Sequence, residues 1–265
     1  MGQNLARVTD DLLGQLVLEA RQDLQRRRYL LDSERFEQAV AAYAPKDFVA
    51  ALRRPELAVI AEMKQRTPSM GVLAEDYRPA DLAHAYTDGG AAAVSVLTHM
   101  AGFGGRVEHI RMVRAATELP ILRKDFVTDP YEVAETRACG ADAVLLIVAA
   151  LERAQLKDLL AVARGRGVAA LVEVHDEADT ATAVEAGAKA IGVNHRNLRD
   201  FSVDFGLTER LRKLVPAEVV LVAESGIHGA EDAQRMREAG ADAVLVGELL
   251  MRSRDPGAEI RNLIR

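Results

Sequence analysis

The chain has 265 residues, 49% of them hydrophobic, and a formal net charge of -6. That length suits one large core and is near the usual size of a single barrel, while the acidic balance leaves no broad basic surface for nucleic acid or an anionic membrane. The lone cysteine, Cys139, excludes an internal disulfide, and no CxxC or Cys/His spacing offers a metal site. No apolar stretch approaches a membrane span and the N-terminus has no signal-peptide apolar core, so a soluble, cytoplasmic enzyme is expected.

Residues 5–31 are charged and periodic, with Leu12, Leu13, Leu16, Val17, Ala20 and Leu24 on one face. This predicts an amphipathic helix within an N-terminal helical extension, residues 1–48. Arg26, Arg27 and Arg28 follow as a basic run, read either as a solvated helix end that favours cations or as part of a helix covering one mouth of the fold. Apolar runs at 57–63, 92–97, 120–124, 142–148, 168–174, 190–194, 219–223 and 242–246 read as strands buried on both faces. Helical patterns separate them at 79–88, 107–117, 130–138, 151–164, 177–186, 205–214 and 229–239, with a last helix from 256 to the end. Pro79, Pro130 and Pro256 suit first-turn positions, where a missing amide costs nothing.

One phrase recurs in this pattern: G-A-A-A-V-S-V from Gly90, G-A-D-A-V-L-L from Gly140, G-A-K-A-I-G-V from Gly187 and G-A-D-A-V-L-V from Gly240. Each copy is a helix-ending glycine followed by a buried strand. The intervals of 50, 47 and 53 residues each fit two strand–helix units. Eight units fill the chain, and eight parallel strands close a barrel. The expected fold is therefore an α/β single (β/α)8 TIM barrel, residues 57–265, in one domain with the N-terminal extension. The rival is an open doubly wound sheet, which carries a glycine-rich phosphate loop after its first strand. Here that strand ends in Glu62-Met63-Lys64-Gln65 instead.

In such a barrel the C-terminal strand ends face the substrate. Those ends read Glu62-Met63-Lys64, Arg123-Lys124-Asp125, Glu173-Val174-His175, Asn194-His195-Arg196, Glu224-Ser225-Gly226 and Gly247-Glu248. Positions 62 and 64 are two apart and point the same way. Burying so many charges unpaired is expensive, so a shared, ion-paired pocket is expected. Its lysines and glutamates are suited to acid–base work. Burial lowers a lysine's pKa and a neighbouring carboxylate raises it; the sequence leaves that balance open. Ser225-Gly226 and Gly247-Glu248 are small-residue turns after strands seven and eight, where barrels bind phosphate with backbone amides.

The segments A-V-I-A-E-M-K with T-P-S after it, P-I-L-R-K-D-F-V-T-D-P-Y, L-V-E-V-H, I-G-V-N-H-R-N-L, A-E-S-G-I and V-L-V-G-E-L-L-M together resemble the indole-3-glycerol phosphate synthase family. The resemblance runs from strand one to strand eight, and the leading helix fits it too. It implies a lyase of tryptophan biosynthesis acting on a phosphosugar–anthranilate substrate, with no metal or organic cofactor. Association with other enzymes of that pathway is a further expectation. By the resemblance Lys124 donates a proton to the substrate ketone, and Lys64 and Glu173 serve the later dehydration, though which lysine serves which step stays open. Glu62 would orient Lys64, Asn194 and Ser225 are polar helpers, and Arg196 would meet the substrate carboxylate. Gly226 and Gly247 would offer amides to the phosphate, Phe126 would pack on the aromatic ring, and Thr67 and Glu248 complete the binding set. Glu224 either binds substrate or braces a lysine, and Phe103 is either core or ring pocket.

Some positions depart from the family pattern. Thr67 replaces a serine, His99 an acid, Gly102 an aromatic residue, Arg106 and Leu249 serines. The Gly102 change raises the reading of a wider ring pocket and a ring-substituted substrate. Two other readings compete: a phosphosugar isomerase, disfavoured because no paired aspartates or Cys/Asp pair close the strands, and a catalytically silent phosphate-binding barrel, disfavoured by Lys64, Lys124 and Glu173 occurring together.

Overall fold

The computed structural model describes residues 11–29, 33–68, 70–197 and 202–265. Eight parallel strands close a barrel: β1 (Ala58–Met63), β2 (Ala93–Leu97), β3 (Ile121–Lys124), β4 (Ala143–Ile147), β5 (Ala169–Val174), β6 (Ala190–Asn194), β7 (Val220–Glu224) and β8 (Ala243–Val246). β1 pairs with β2 on one side and β8 on the other, which leaves no edge. The strands alternate strictly between two environments. Ala58 and Ile60 join Leu122, Leu145, Leu171, Val222 and Leu245 inside the barrel. Val59, Ala61, Met63, Val94 and Val96 pack outward under the helices.

The recurring glycines do what their sequence context predicts. Gly90, Gly140, Gly187 and Gly240 have φ of 87, 91, 82 and 90°, the left-handed turn that ends a helix and admits the next strand. Helices α4 (Pro79–Asp88), α7 (Pro130–Ala138) and α13 (Pro256–Ile264) carry proline in their first turn. The helix expected over 205–214 is shorter, Leu207–Arg212 (α10).

Three helices precede β1 among the described residues: α1 (Leu12–Tyr29) and α2 (Ser33–Ala42) within the expected extension, and α3 (Phe48–Leu52), which runs past its expected end at 48. Residues 5–10, 30 and 31 of the expected leading helix, and Ser69, lie outside the described residues. Phe48 and Leu52 of α3 are fully buried and join the inner core. Nearby, Asp142 accepts hydrogen bonds from the Tyr43 hydroxyl (2.7 Å) and the Lys46 amide (2.6 Å), tying the extension to the start of β4.

α1 covers the opposite mouth. Leu13, Leu16, Val17 and Ala20 are buried against the inner cluster, and Leu12 and Leu16 face the cleft described below. Its basic run is more than a solvated end. Arg26 is exposed, but Arg27 pairs with Glu135 (3.1 Å) and Glu132 (3.6 Å) of α7. Arg28 pairs with Asp129 and lies 4.9 Å over the Tyr131 ring. A short hairpin, Arg66–Thr67 with Gly71–Val72, follows β1, and helix α5 (Met100–Phe103) follows β2. Arg66 donates to the Met100 and Ala101 carbonyls, joining these two loops over the same mouth.

Candidate active site

At the C-terminal mouth, one cleft is lined by Glu62, Lys64, Thr67, Lys124, Phe126, Glu173, Asn194, Arg196, Glu224, Ser225, Gly226, Gly247 and Glu248. Every site residue singled out in the sequence thus borders the same space. The alternation of the barrel explains the convergence of Glu62, Lys64, Lys124, Phe126, Glu173 and Glu224, whose side chains continue the inward-facing rows begun by Ile60, Leu122, Leu171 and Val222.

Two ion-pair groups form the polar wall. Lys64 Nζ lies 2.5 Å from Glu62 Oε1. Lys124 Nζ lies 3.2 Å from Glu173 Oε2 and 3.3 Å from Glu224 Oε2. Glu224 therefore braces Lys124. Asn194 Nδ2 donates to Glu173 Oε1 (3.2 Å), and the Ser225 hydroxyl donates to Asn194 Oδ1 (2.8 Å). The glutamates are nearly sealed, with Glu62 at 4%, Glu173 at 2% and Glu224 at 1% exposure. The lysine side chains keep 14–15% exposure and reach into the cleft.

Packing and electrostatics both depend on this arrangement. A Cβ on Gly192 would stand 2.0 Å from Glu224 Oε1, and one on Gly247 would stand 2.5 Å from Glu62 Oε1 and 2.9 Å from Lys64 Nζ. These glycines leave room for the carboxylates. Burial opposes the charge on Lys124, but Glu173, Glu224 and Glu62 outweigh it and raise its pKa. Burial pushes Glu224 up, helped by Glu173 and Glu62 and opposed by Lys124, to well above the usual carboxylate range. Burial acts in the same sense on Glu173, yet Lys124, His175 and Asn194 prevail and lower its pKa. The balance left open by the sequence thus falls to charge for Lys124 and Glu173.

The other end of the cleft is apolar. Phe103 and Phe126 lie 6.4 Å apart, both bordering the cleft with Leu12 and Leu16. His99 sits edge-on to Phe126 at 5.1 Å. Phe103 is therefore a wall of the pocket. Beside Gly102 itself there is no open space: a Cβ there would meet Leu16 Cδ2 at 3.0 Å and His99 Nδ1 at 3.2 Å. Leu16 of α1 and His99 occupy that space.

Not every strand-end charge belongs here. Arg123 leaves β3 on the outer face and is fully buried, paired with Asp125 (3.1 Å) and Glu135 (2.9 Å), with Glu132 at 4.0 Å. The single shared pocket expected from sequence is two networks. His175 was missed as a neighbour of Glu173. Its Nε2 is 3.4 Å from Glu173 Oε1, and although burial opposes its charge, Asp179, Glu173 and Glu224 raise its pKa. Its position two residues after Glu173, on the same face, was the available signal. The cleft-lining role of α1 had no local signal, because helix and strand ends meet only in the folded chain.

The family model for indole-3-glycerol phosphate synthase matches residues 13–263. A Streptomyces coelicolor protein named indole-3-glycerol phosphate synthase 2 is 59% identical over 254 residues, covering 96% of this chain and 98% of that one. Indole-3-glycerol phosphate synthases from Albidiferax ferrireducens (50% identical; 82% of this chain, 84% of that one) and a Roseiflexus species (46%; 96% and 98%) are also similar. Among solved structures, an N-acetylmannosamine-6-phosphate 2-epimerase from Clostridium perfringens superposes with a TM-score of 0.61 at 20% identity, covering 78% of this chain and 92% of that one. At that identity the likeness is one of fold alone. The matches over nearly the whole length lead to one assignment: this chain belongs to the indole-3-glycerol phosphate synthase family.

Proposed function

We propose that this chain is a carboxy-lyase of tryptophan biosynthesis. It closes the ring of 1-(2-carboxyphenylamino)-1-deoxyribulose 5-phosphate to give indole-3-glycerol phosphate, with loss of carbon dioxide and water. Besides family membership, the observation that carries the reading is Lys124 held between Glu173 and Glu224, beside the Lys64–Glu62 pair, in a cleft with an aromatic end.

The ring stacks at the Phe103 and Phe126 end, and Arg196 meets its carboxylate. The carboxylate-bearing ring carbon attacks the ketone, and negative charge grows on the ketone oxygen. An ammonium has three N–H donors; two on Lys124 are directed at glutamates, and the third is free to reach that oxygen. A raised pKa does not prevent proton transfer, since an alkoxide is a stronger base than an amine. Carbon dioxide then leaves and aromaticity returns. In the dehydration Lys64 protonates the departing hydroxyl, assisted by the ring nitrogen's lone pair, while Glu173 takes the proton lost from the adjoining methylene carbon, which leaves the indole N–H in place. Two protons are given and one recovered, so each turnover consumes one solvent proton, matching the carboxylate lost as carbon dioxide. Gly226 and Gly247 bind the phosphate through their amides.

A fluorescence assay of indole-3-glycerol phosphate formation tests this. The parent enzyme is expected to turn over, and Lys124→Ala is expected to lose about 10³-fold or more in kcat with substrate binding largely kept. A parent without turnover overturns the activity, and a near-normal Lys124→Ala overturns the donor role. No helix among the described residues is long and apolar enough to cross a membrane, and a cytoplasmic enzyme belongs to this reading. So does association with other enzymes of the pathway, supported by exposed Met70, Val72 and Met100 on the two loops over the mouth.

A further inference from the structure

His195 follows Asn194 at the end of β6, and its ring is buried, 2% exposed, beside α10. Its Nδ1 lies 3.0 Å from the Ser225 carbonyl oxygen. A carbonyl has no hydrogen to give, so Nδ1 carries the proton. Nε2 lies 2.7 Å from Thr208 Oγ1 and accepts from that hydroxyl. Burial dominates the ring's environment and lowers its pKa, against the Ser225 hydrogen bond and Asp204, which favours this neutral tautomer.

The residue it holds is unusual. Ser225, with φ of 71°, is the one non-glycine residue with positive φ among the described residues. A side chain disfavours that conformation, so it persists only where neighbours fix it. In that conformation the Ser225 hydroxyl donates to Asn194 Oδ1. The same oxygen accepts from the Arg196 amide at 3.1 Å, an unambiguous donor that settles which way the Asn194 amide points. Asn194 Nδ2 is thereby directed at Glu173 Oε1, 3.2 Å away.

We infer that His195 is a positioning residue for ring closure and dehydration: by clamping the Ser225 carbonyl it fixes the serine hydroxyl and, through Asn194, the carboxylate of Glu173. This rests on the activity proposed above. The chain His195, Ser225, Asn194, Glu173 touches substrate only at its later members, so its loss is expected to act on kcat and leave KM nearly unchanged.

The test is a double-mutant cycle on the full chain. His195→Phe keeps a ring to pack against Phe205, 5.6 Å away, and removes both nitrogens. It is expected to lower kcat about tenfold with KM changed less than about twofold. In a Ser225→Ala background, where the hydroxyl is already gone, the same change is expected to cost less than about twofold. His195→Asn restores a donor near the Nδ1 position and is expected to recover most of the loss. Equal losses in both backgrounds, or lowered thermal stability with unchanged kcat, overturn the inference. Should His195→Phe fail to fold, His195→Ala takes its place beside His195→Asn: a kcat at least about threefold lower for the alanine than for the asparagine variant upholds the clamp, and a smaller difference overturns it. A parent without turnover overturns the proposed activity and this inference with it, whereas an active parent with additive variants overturns this inference alone.

Discussion

Arg123 and Lys124 are adjacent, both cationic, both held by carboxylates, and they belong to different machines. Lys124 points into the barrel, meets Glu173 and Glu224, and keeps 14% of its side chain exposed to the cleft. Arg123 points outward, is fully buried, and meets Asp125, Glu132 and Glu135. Arg27 of α1 reaches the same outer carboxylates, so the outer network fastens the covering helix to the barrel wall. A charge cluster that opens on a cavity retains a donor for a ligand. One that is sealed has no face open to a ligand, and its worth lies in holding elements together.

The sharpest way to break this comparison is to remove each cation. Arg123→Met leaves three carboxylates buried without their guanidinium and is expected to cost about 3–5 kcal/mol of stability by urea unfolding. Its kcat, measured on folded enzyme, is expected to fall far less than that of Lys124→Met. The Lys124 variant is expected to show the reverse, a large loss of kcat and a smaller shift in urea midpoint, since carboxylates beside an open cleft can take up protons or water. If both variants lose stability equally while keeping their relative activities, the division into two machines is wrong.

Much of this was legible in the sequence, for reasons that also mark where legibility stops. The four glycine phrases exposed the barrel because helix end and strand start are local events, and the observed φ values agree with that reading. The inward charges were visible as strand endings. Parity alone separates Lys124 from Arg123, and it applied equally well to both, yet a list of strand ends does not show parity until strand boundaries are fixed. Arg27 meeting Glu135 was beyond local reading, since the partners lie 108 residues apart. The same holds for Leu16 filling the space beside Gly102. Sequence compared with the family pattern showed a missing aromatic ring; only packing showed that Leu16 of a distant segment lies against Gly102.

A second contrast sharpens the first. Glu132 in the sealed network is pushed up to about 7 by burial, with Asp125 adding to the rise and Arg123, Thr128 and Arg27 opposing it. A raised folded-state value means the native protein binds this proton more tightly than the unfolded chain. The stabilisation is full below about 4.5, the ordinary value for a glutamate, and is lost as pH rises through about 7. Across that window the contribution amounts to about 3 kcal/mol at most. Urea midpoints of the parent are expected to fall as pH rises through this range, and Glu132→Gln is expected to flatten the dependence. The variant's pH–rate profile should match the parent's. A midpoint curve indistinguishable between the two would remove Glu132 as a titrating group.

Glu224 is the inner counterpart, also raised by burial and also against a cation. Linkage makes its titration visible in stability as well, with the same sign, so stability cannot separate the two glutamates. Rate can. Ionised Glu224 shares the Lys124 ammonium with Glu173; neutral Glu224 leaves Glu173 to hold it alone, and Glu173, with its lowered pKa, stays ionised further into acid. The parent's kcat is therefore expected to fall as pH drops through the raised Glu224 value. Glu224→Gln should lose that limb and run at a plateau about tenfold lower, the scale of one charge-assisted hydrogen bond. Should the acid limb survive in Glu224→Gln and vanish in Glu132→Gln, the inner and outer roles would have to be exchanged, because only a group in contact with Lys124 has a direct way to pass its protonation state to the reacting ketone.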